Sequence, residues 1–516
     1  MKKRNKGLLS VFLTALLLLT ACSPGGDTGG TAGGFKDTLV VASAADAVTF
    51  DIHNTNDSAT TRVARQIYET LIRQTEDLEL VPSLAESWEA IDDTTYEFKL
   101  KKGVTFHNGE PFTAKDVAYT LKRALTSANV GHIVGEIDET KITVVDDHTI
   151  RIGTKKPFGP LLTHLAHPAT AIMNEKAVTE GGDDYSIAPV GTGPYKLTNW
   201  TAGSEINLER YEGYHGTAGA TEKITFKVIK EDSVRVIALE NGEIDVAYDI
   251  PPNEIATVEA SEGLTLVRDL NLSTAYVGIN TQSKTPLSDV KVRQAINYAI
   301  DVETIVANVF QGVGKPAKGP LNPLVFGSTT GLPEYGYDVE KAKALLAEAG
   351  YPNGGFGFNL YVGDNNAQRI KIAEIIKEAL AQLNIEVTIT QLEWASFLEA
   401  TGKGEADMFI LGWTTVTTDA DYGLYPLFHS SQQGAAGNRS FYVNARVDEL
   451  LEAGKTETDT DKRLALYKEA QEIIAEEVPW VFVQDGENVT GISNKVKGFK
   501  HHPTATYFLE KVTVEK

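Results

Sequence analysis

Cysteine is almost absent from this chain: Cys22 is the only one in 516 residues. No disulfide can form within it, so a folded body of this length rests on its hydrophobic core. Positive charge is also short. Forty-eight lysines and arginines stand against 70 acids, and the first 21 residues hold four of the basic side chains and none of the acids. Without that stretch the formal charge falls from −22 to −26. Such a body repels phosphate backbones and anionic headgroups, which excludes nucleic acid as a partner and a basic patch as a membrane anchor. Catalytic and metal motifs are missing too. There is no H-E-x-x-H and no G-x-S-x-G, and Gly312-Val-Gly-Lys-Pro316 lacks a phosphate loop's spacing and Ser/Thr. His164-x-x-His167 and His501-His502 have no acid at ligand spacing, and Asp419-Ala-Asp-Tyr-Gly423 lacks the third acid and later glutamate of a calcium loop. The expectation is no enzyme, no cofactor and no metal.

What is present begins with MKKRNK, followed by the apolar stretch Leu8 to Leu19 and then Leu19-Thr20-Ala21-Cys22. A basic start, a short apolar run and small residues before a cut site read as a secretory signal, and the run is well short of the roughly 20 residues of a membrane span. The ending L-T-A-C resembles a bacterial lipoprotein signal, cleaved before a cysteine whose thiol is acylated. That resemblance implies a leader over 1–21 and a chain lipid-anchored at Cys22 outside the cell membrane. SPGGDTGGTAGG follows, with six glycines in twelve residues and no large apolar side chain. Its composition predicts a flexible tether over 22–35. The rest of the chain has room for two or three domains.

Two α/β regions show along it. Thr95–Leu100 alternates as a half-buried strand, Ile224 to Ile229 likewise, Ser233–Glu240 reads as a helix stopped by Gly242, and Ile244–Tyr248 as a strand. Further on, Phe358–Val362 is a strand and Gln368–Leu383 a helix. A strand over Ile385–Ile389, a short helix over Trp394–Ala400 and a buried strand over Met408–Leu411 follow. Asp338 caps a helix that stops at Gly350, and Pro479 ends another from about Asp461. Two such regions predict two lobes with a cleft between them, where ligands gather at sheet ends.

Leu84 to Val117, LAESWEAIDDTTYEFKLKKGVTFHNGEPFTAKDV, resembles the signature region of the family-5 extracellular solute-binding lipoproteins of peptide and nickel uptake transporters. Asn108-Gly109 makes a tight hairpin turn there and Thr113 caps a helix from Ala114. Pro189-Val-Gly-Thr-Gly-Pro-Tyr195, Val292 to Asp301, Tyr337-Asp338 through Gly350-Tyr351-Pro352, and Glu477-Val-Pro-Trp480 are similar to further blocks in family order. The resemblance covers nearly all of 36–516. It implies an α/β, two-lobe periplasmic-binding-protein-like fold, of the Venus-flytrap type II, with an extra domain and three domains in all. Domain I would take 36–75, 190–272 and 485–516, domain II 76–189 and domain III 273–484. The chain crossings near Leu270–Leu272 and Gln484–Asp485 would be the hinges. Function would be capture of short peptides and delivery to an ABC permease and its ATPase subunits, by a monomer.

Candidate ligand residues follow from the same resemblance. Trp413 offers a rigid apolar surface with one N–H donor, and Asp419 or Asp421 a carboxylate for a peptide ammonium. Dipeptide and oligopeptide binders carry that aspartate three residues after the tryptophan, where this chain has Val416. The arginine that dipeptide binders use after the Phe358–Val362 strand is missing from Gly363-Asp-Asn-Asn-Ala-Gln368. The pattern from Gly412 to Phe428 is more similar to the glutathione-binding branch. Arg439, in Gly437-Asn-Arg-Ser-Phe-Tyr442, would then meet a ligand carboxylate beside Tyr442. His53 and Asn56, ahead of a helix with free amide donors, would face the cleft. Nickel or metal-chelate binding is the rival within the fold, with His53 and His429 the only cleft histidines to hold a chelate. A peptide-sensing receptor is the rival in role, and a secreted hydrolase the rival in class.

Overall fold

The computed structural model describes residues 34–434 and 437–516. The leader, Cys22 and nearly all of the tether lie outside the described residues.

The long β-strands are where the expected alternation becomes architecture. Successive side chains point to opposite faces of a sheet. In Trp480–Ser493, Val481 and Val483 enter one core while Trp480 and Phe482 enter the other. Leu264–Ile279 divides likewise, Val277 and Ile279 from Tyr276, and Met408–Thr414 divides Met408 and Ile410 from Phe409 and Leu411. The Tyr276 and Trp480 rings stack across the two strands at 3.5 Å.

These strands belong to one sheet of 11 strands. It runs from Ile385–Leu392 through Phe356–Gly363, Met408–Thr414, Leu264–Ile279 and Trp480–Ser493, then on to Val246–Ala247, Thr38–Ser43, Lys223–Val228, Glu205–Arg210 and Tyr195–Thr201. Lys315–Pro316 pairs beside it with Trp480–Ser493. The sheet therefore has two halves joined by the antiparallel pair Leu264–Ile279 and Trp480–Ser493. Around the far half, helices Val290–Ala299, Val339–Glu348 and Ala367–Ala381 cover one face, and Ala420–Phe428, Ala445–Thr456 and Thr460–Glu477 the other. Around the near half, one core gathers Leu39, Phe50, Ile67 and Tyr195 with Tyr507 and Val512, and a smaller one forms under Asp232–Glu240. A separate four-stranded sheet, Ala85–Asp92, Thr95–Leu100, Thr149–Gly153 and Thr143–Asp146, packs with helix Ala114–Leu125 around a core drawn from residues 71–172.

Pairing of the two connecting strands is broken at one place. Leu270 faces Glu487 and the next pair is Thr274 with Asp485, so the first strand carries extra residues. Such a bulge bends the strand and loosens the ladder locally. Asn271 fills it, its Oδ1 accepting from Ser273 N at 2.8 Å and Ser273 Oγ at 2.6 Å. Opposite stands Gly486, where a Cβ would meet Ser273 Oγ at 2.0 Å. Any larger residue there would have to push the Ser273 and Asn271 side chains aside.

Local punctuation follows the sequence closely. Thr113 and Asp116 form a capping box, Asp338 accepts from Lys341 N, and Thr460–Glu477 starts one residue after its cap Asp459 and stops before Pro479. The expected strand Ile244–Tyr248 shrinks to Val246–Ala247. Asp245 is the reason: its carboxylate accepts Val40 N at 2.9 Å and Lys36 Nζ at 2.7 Å, which puts a side chain where a ladder bond would be.

Candidate functional site

Helix Ser58–Ile67 forms because Asp57 caps it, accepting Thr60 N at 2.8 Å, and because Val63, Ala64 and Ile67 bury one face in the near core. Arg62 fixes its rotation with a two-pronged bond to Asp249, at 2.6 and 2.9 Å. Residues three and four apart share a helix face. Ser58, Thr61 and Arg65 are such a set, and they line a cavity of about 130 Å³ that opens to solvent. The facing wall is the segment 504–510. Tyr507 and Leu509 go into the core, while Thr506, Phe508 and Glu510 turn to the cavity. Gln66 ties this wall to the helix, donating to Tyr507 O at 2.8 Å and accepting from Leu509 N at 3.2 Å. His167 to Ala169 and Tyr214 close the sides, and Val416 reaches in from the far half.

The acids of the cavity are engaged. Glu510 pairs with Arg73 at 2.8 Å, and Glu69 accepts from Tyr214 Oη at 3.1 Å and pairs with His215 Nε2 at 2.9 Å. His167 is neutral, since burial and then His164 and Arg65 pull its pKa down to about 3. Arg65 makes no hydrogen bond or ion pair among the described residues, and its Nε is shut off from solvent.

Of the expected ligand residues, Asn56 lines this cavity and the others do not. Asp419 corrects the expectation of a free carboxylate. It is 1% exposed and takes both prongs of Arg463, at 2.8 and 3.0 Å, while capping helix Ala420–Phe428 through Asp421 N. Asp421 is buried with Oδ1 unpartnered, and desolvation, ahead of the opposing pull of Lys455, pushes its pKa up to about 7. Trp413 is half-buried, its Nε1 donating to Tyr422 O at 3.1 Å, so only its ring surface is open. Arg439 is a further correction, because its Nη1 donates to Leu398 O at 2.5 Å and Thr401 Oγ1 at 2.7 Å. Tyr442 is buried with its hydroxyl on Glu477 Oε2 at 2.6 Å. His53 turns inward to Ala169 O at 3.2 Å, and burial followed by Arg123 lowers its pKa to about 4, which leaves it neutral.

The residues that sequence reasoning missed are Arg65, Arg73 and Phe508, and in the far half Arg369. Arg369 lies one position beyond the stretch searched for an arginine. Its guanidinium carbon stands 5.5 Å from the Trp394 ring, and it has no ion pair among the described residues. Spacing alone gives no sign of Arg65: it sits in the same helix as Arg62, and only the fold supplies one of them with a carboxylate.

The two halves of the molecule touch beside the cavity. Gly159 N donates to Lys455 O at 3.0 Å, Lys455 Nζ pairs with Glu136 at 2.8 Å, and Gln74 Nε2 donates to Thr418 Oγ1 at 2.6 Å. A Cβ at Gly159 would meet Glu457 O at 2.3 Å, so the contact needs glycine. Val416 and Tyr422 pack against the 71–172 core from the opposite side.

Two sheet halves joined by a bulged strand pair, with an open cavity beside their contact, define a two-lobed, multi-domain binding protein of the periplasmic type II fold. Residues 79–435 match the bacterial extracellular solute-binding proteins, family 5 Middle. The chain belongs to this family. It is 34% identical over 484 residues to the glutathione-binding protein GsiB of Pectobacterium atrosepticum, covering 91% of this chain and 93% of that one. Among solved structures, it resembles HbpA2 from Haemophilus parasuis with a TM-score of 0.86 at 29% identity, over 93% of this chain and 100% of that one. It also resembles the ABC transporter-associated periplasmic binding protein DppA from Helicobacter pylori, in complex with peptide STSA. That TM-score is 0.76 at 30% identity, over 93% of this chain and 99% of that one.

Proposed function

We propose that this chain is the substrate-binding component of an ABC importer, which captures short, glutathione-like peptides outside the cell and hands them to a membrane permease. The observation that carries the reading is the cavity between Ser58–Ile67 and 504–510, in a chain so similar in length and sequence to glutathione-binding relatives. Hydroxyls and amides on its walls suit a peptide backbone, which every peptide presents alike. Val416 supports the subfamily placement: an apolar side chain stands in the cavity where dipeptide binders carry an aspartate. The protein binds rather than transforms its ligand. Trp413 and Asn56 remain candidate contacts on the two sides.

The proposed domain division is domain I at 36–75, 190–272 and 485–516, domain II at 76–189 and domain III at 273–484. Separate cores favour three units, although Leu71 and Ile72 pack in the domain II core and Met173, Val178 and Tyr185 in the domain I core. Hinge bending falls at the bulge over 271–273 and at Gly486. Cys22, acylated, anchors a monomer to the outer face of the cell membrane; replacing it with Ala leaves an uncleaved or shed protein, and a processed variant still fractionating with membranes would refute the anchor.

Calorimetry with glutathione, a tripeptide and a dipeptide tests the ligand class, alongside mass spectrometry of ligand carried through purification. Glutathione or the tripeptide is expected to bind more tightly. A dipeptide that binds clearly best overturns the subfamily placement.

A further inference from the structure

Arg65 and Arg73 face Glu69 and Glu510 across the cavity, but both acids are bonded to groups other than Arg65. Arg65 and Arg73 address the same ring, with their guanidinium carbons 4.4 and 3.4 Å from the centre of Phe508. Arg73 has Glu510 for a counter-ion at 2.8 Å. Arg65 shares the ring and feels Glu510 only through space, with no hydrogen bond to it, and its Nε is unpartnered. A stacked guanidinium gains from an aromatic face but keeps its five donors, and their planar fork matches a carboxylate. Burial, and then the nearby charge of Arg73, pull the Arg65 pKa down to about 9, so the side chain is charged at neutral pH and held in a setting that disfavours its charge. A carboxylate brought to it offsets both costs, and charge-assisted bonds to a positioned arginine are strong. Neither acid of the cavity bonds to Arg65: Glu69 is held by Tyr214 and His215, and Glu510, which attracts Arg65 through space, is bonded to Arg73.

We propose that Arg65 anchors a carboxylate of the bound peptide, which makes the cavity selective for ligands carrying an acidic group at that end. The inference rests on the peptide-binding reading. It moves the carboxylate site from the far half, where Arg439 is tied to backbone and Thr401, to the helix Ser58–Ile67 of the near half. Phe508 keeps the guanidinium plane fixed, so little side-chain freedom is lost on binding.

The test is calorimetry with glutathione and its glycyl monoethyl ester, and with trialanine and its C-terminal amide, against wild type, Arg65→Met and Arg65→Lys. Wild type is expected to prefer a free acid over its blocked partner by about 30-fold or more, the loss expected when one partner of a desolvated pair is removed. Arg65→Met is expected to bind acid and blocked form alike, at the level of the blocked form in wild type, and Arg65→Lys to recover part of the preference. Equal binding of acid and blocked forms by wild type overturns the inference while leaving peptide binding intact. So does an Arg65→Met protein that keeps the preference. The comparison within wild type needs no variant to fold. Wild type binding neither glutathione nor trialanine refutes the peptide reading itself, and the inference with it.

Discussion

Asp419 and Asp421 stand two residues apart in one loop and live in opposite surroundings. Asp419 is held by Arg463 from both prongs, and removing one partner of a buried pair typically costs about 3–5 kcal/mol. Asp419→Asn is therefore expected to lower the melting temperature by many degrees, and a variant that melts within a degree of wild type refutes the pairing. Asp421 is buried without a partner for Oδ1, among Lys455, Asp419, Arg463 and Glu136. Its pKa is raised in the folded state, so the protonated form favours folding. That stability is present at or below the ordinary carboxylate range, fades as pH rises towards about 7, and is absent above. Asp421→Asn keeps the shape and removes the charge. It is expected to be more stable than wild type at pH 8, by on the order of 4 kcal/mol, with the difference vanishing near pH 4. A wild type equally or more stable than the variant at pH 8 contradicts this. Both aspartates were visible in the sequence as candidate ligand groups. What distinguishes them is Arg463, 44 residues later and a helix away, and no local pattern carries that information.

Elements were far more legible than side-chain roles. Strands with period-two alternation and helices with a cap at one end and a Pro or Gly at the other fold as expected, because those signals act within a few residues. Thr113→Ala should cost about 1 kcal/mol, the usual worth of an N-cap, measured by denaturant unfolding. The connecting strands were less legible. Their crossing points were expected near 270–272 and 484–485 from the family pattern, but the bulge is a property of the pair: extra residues in one strand matter only because Gly486 leaves room in the other. Gly486→Ala has to displace Ser273, and the expected result is a shifted balance between open and closed forms. Scattering of the ligand-free protein should show a changed radius of gyration. An unchanged radius and unchanged ligand affinity would mean the bulge plays no part in bending.

At the scale of the whole molecule, the proposed function makes closure a population shift, in which a ligand touching both halves would bind the closed form better. The contacts at Gly159, Glu136 and Lys455 hold the two sides together, and in that reading would favour closure. Glu136 and Lys455 are partly exposed, so their pair contributes at most about 1 kcal/mol. Glu136→Gln is accordingly expected to weaken ligand binding less than about tenfold and to enlarge the ligand-free protein. Tighter binding in the variant would refute the latch. The same molecule also carries a consequence for the order in which it can be made. The cavity's two main walls come from opposite ends of the chain, with Gln66 bonded to residues 507 and 509 and Arg62 to Ala505 O. Strand Thr38–Ser43 waits for partners at 223–228 and 246–247, and the sheet halves are joined only once Trp480–Ser493 is present. Contacts this distant in sequence form slowly, after long loops have closed. A nascent chain lacking its last few dozen residues therefore has no continuous sheet and no binding site, so synthesis itself keeps the polypeptide unlocked until it is nearly complete, the state in which a chain can still be threaded across a membrane.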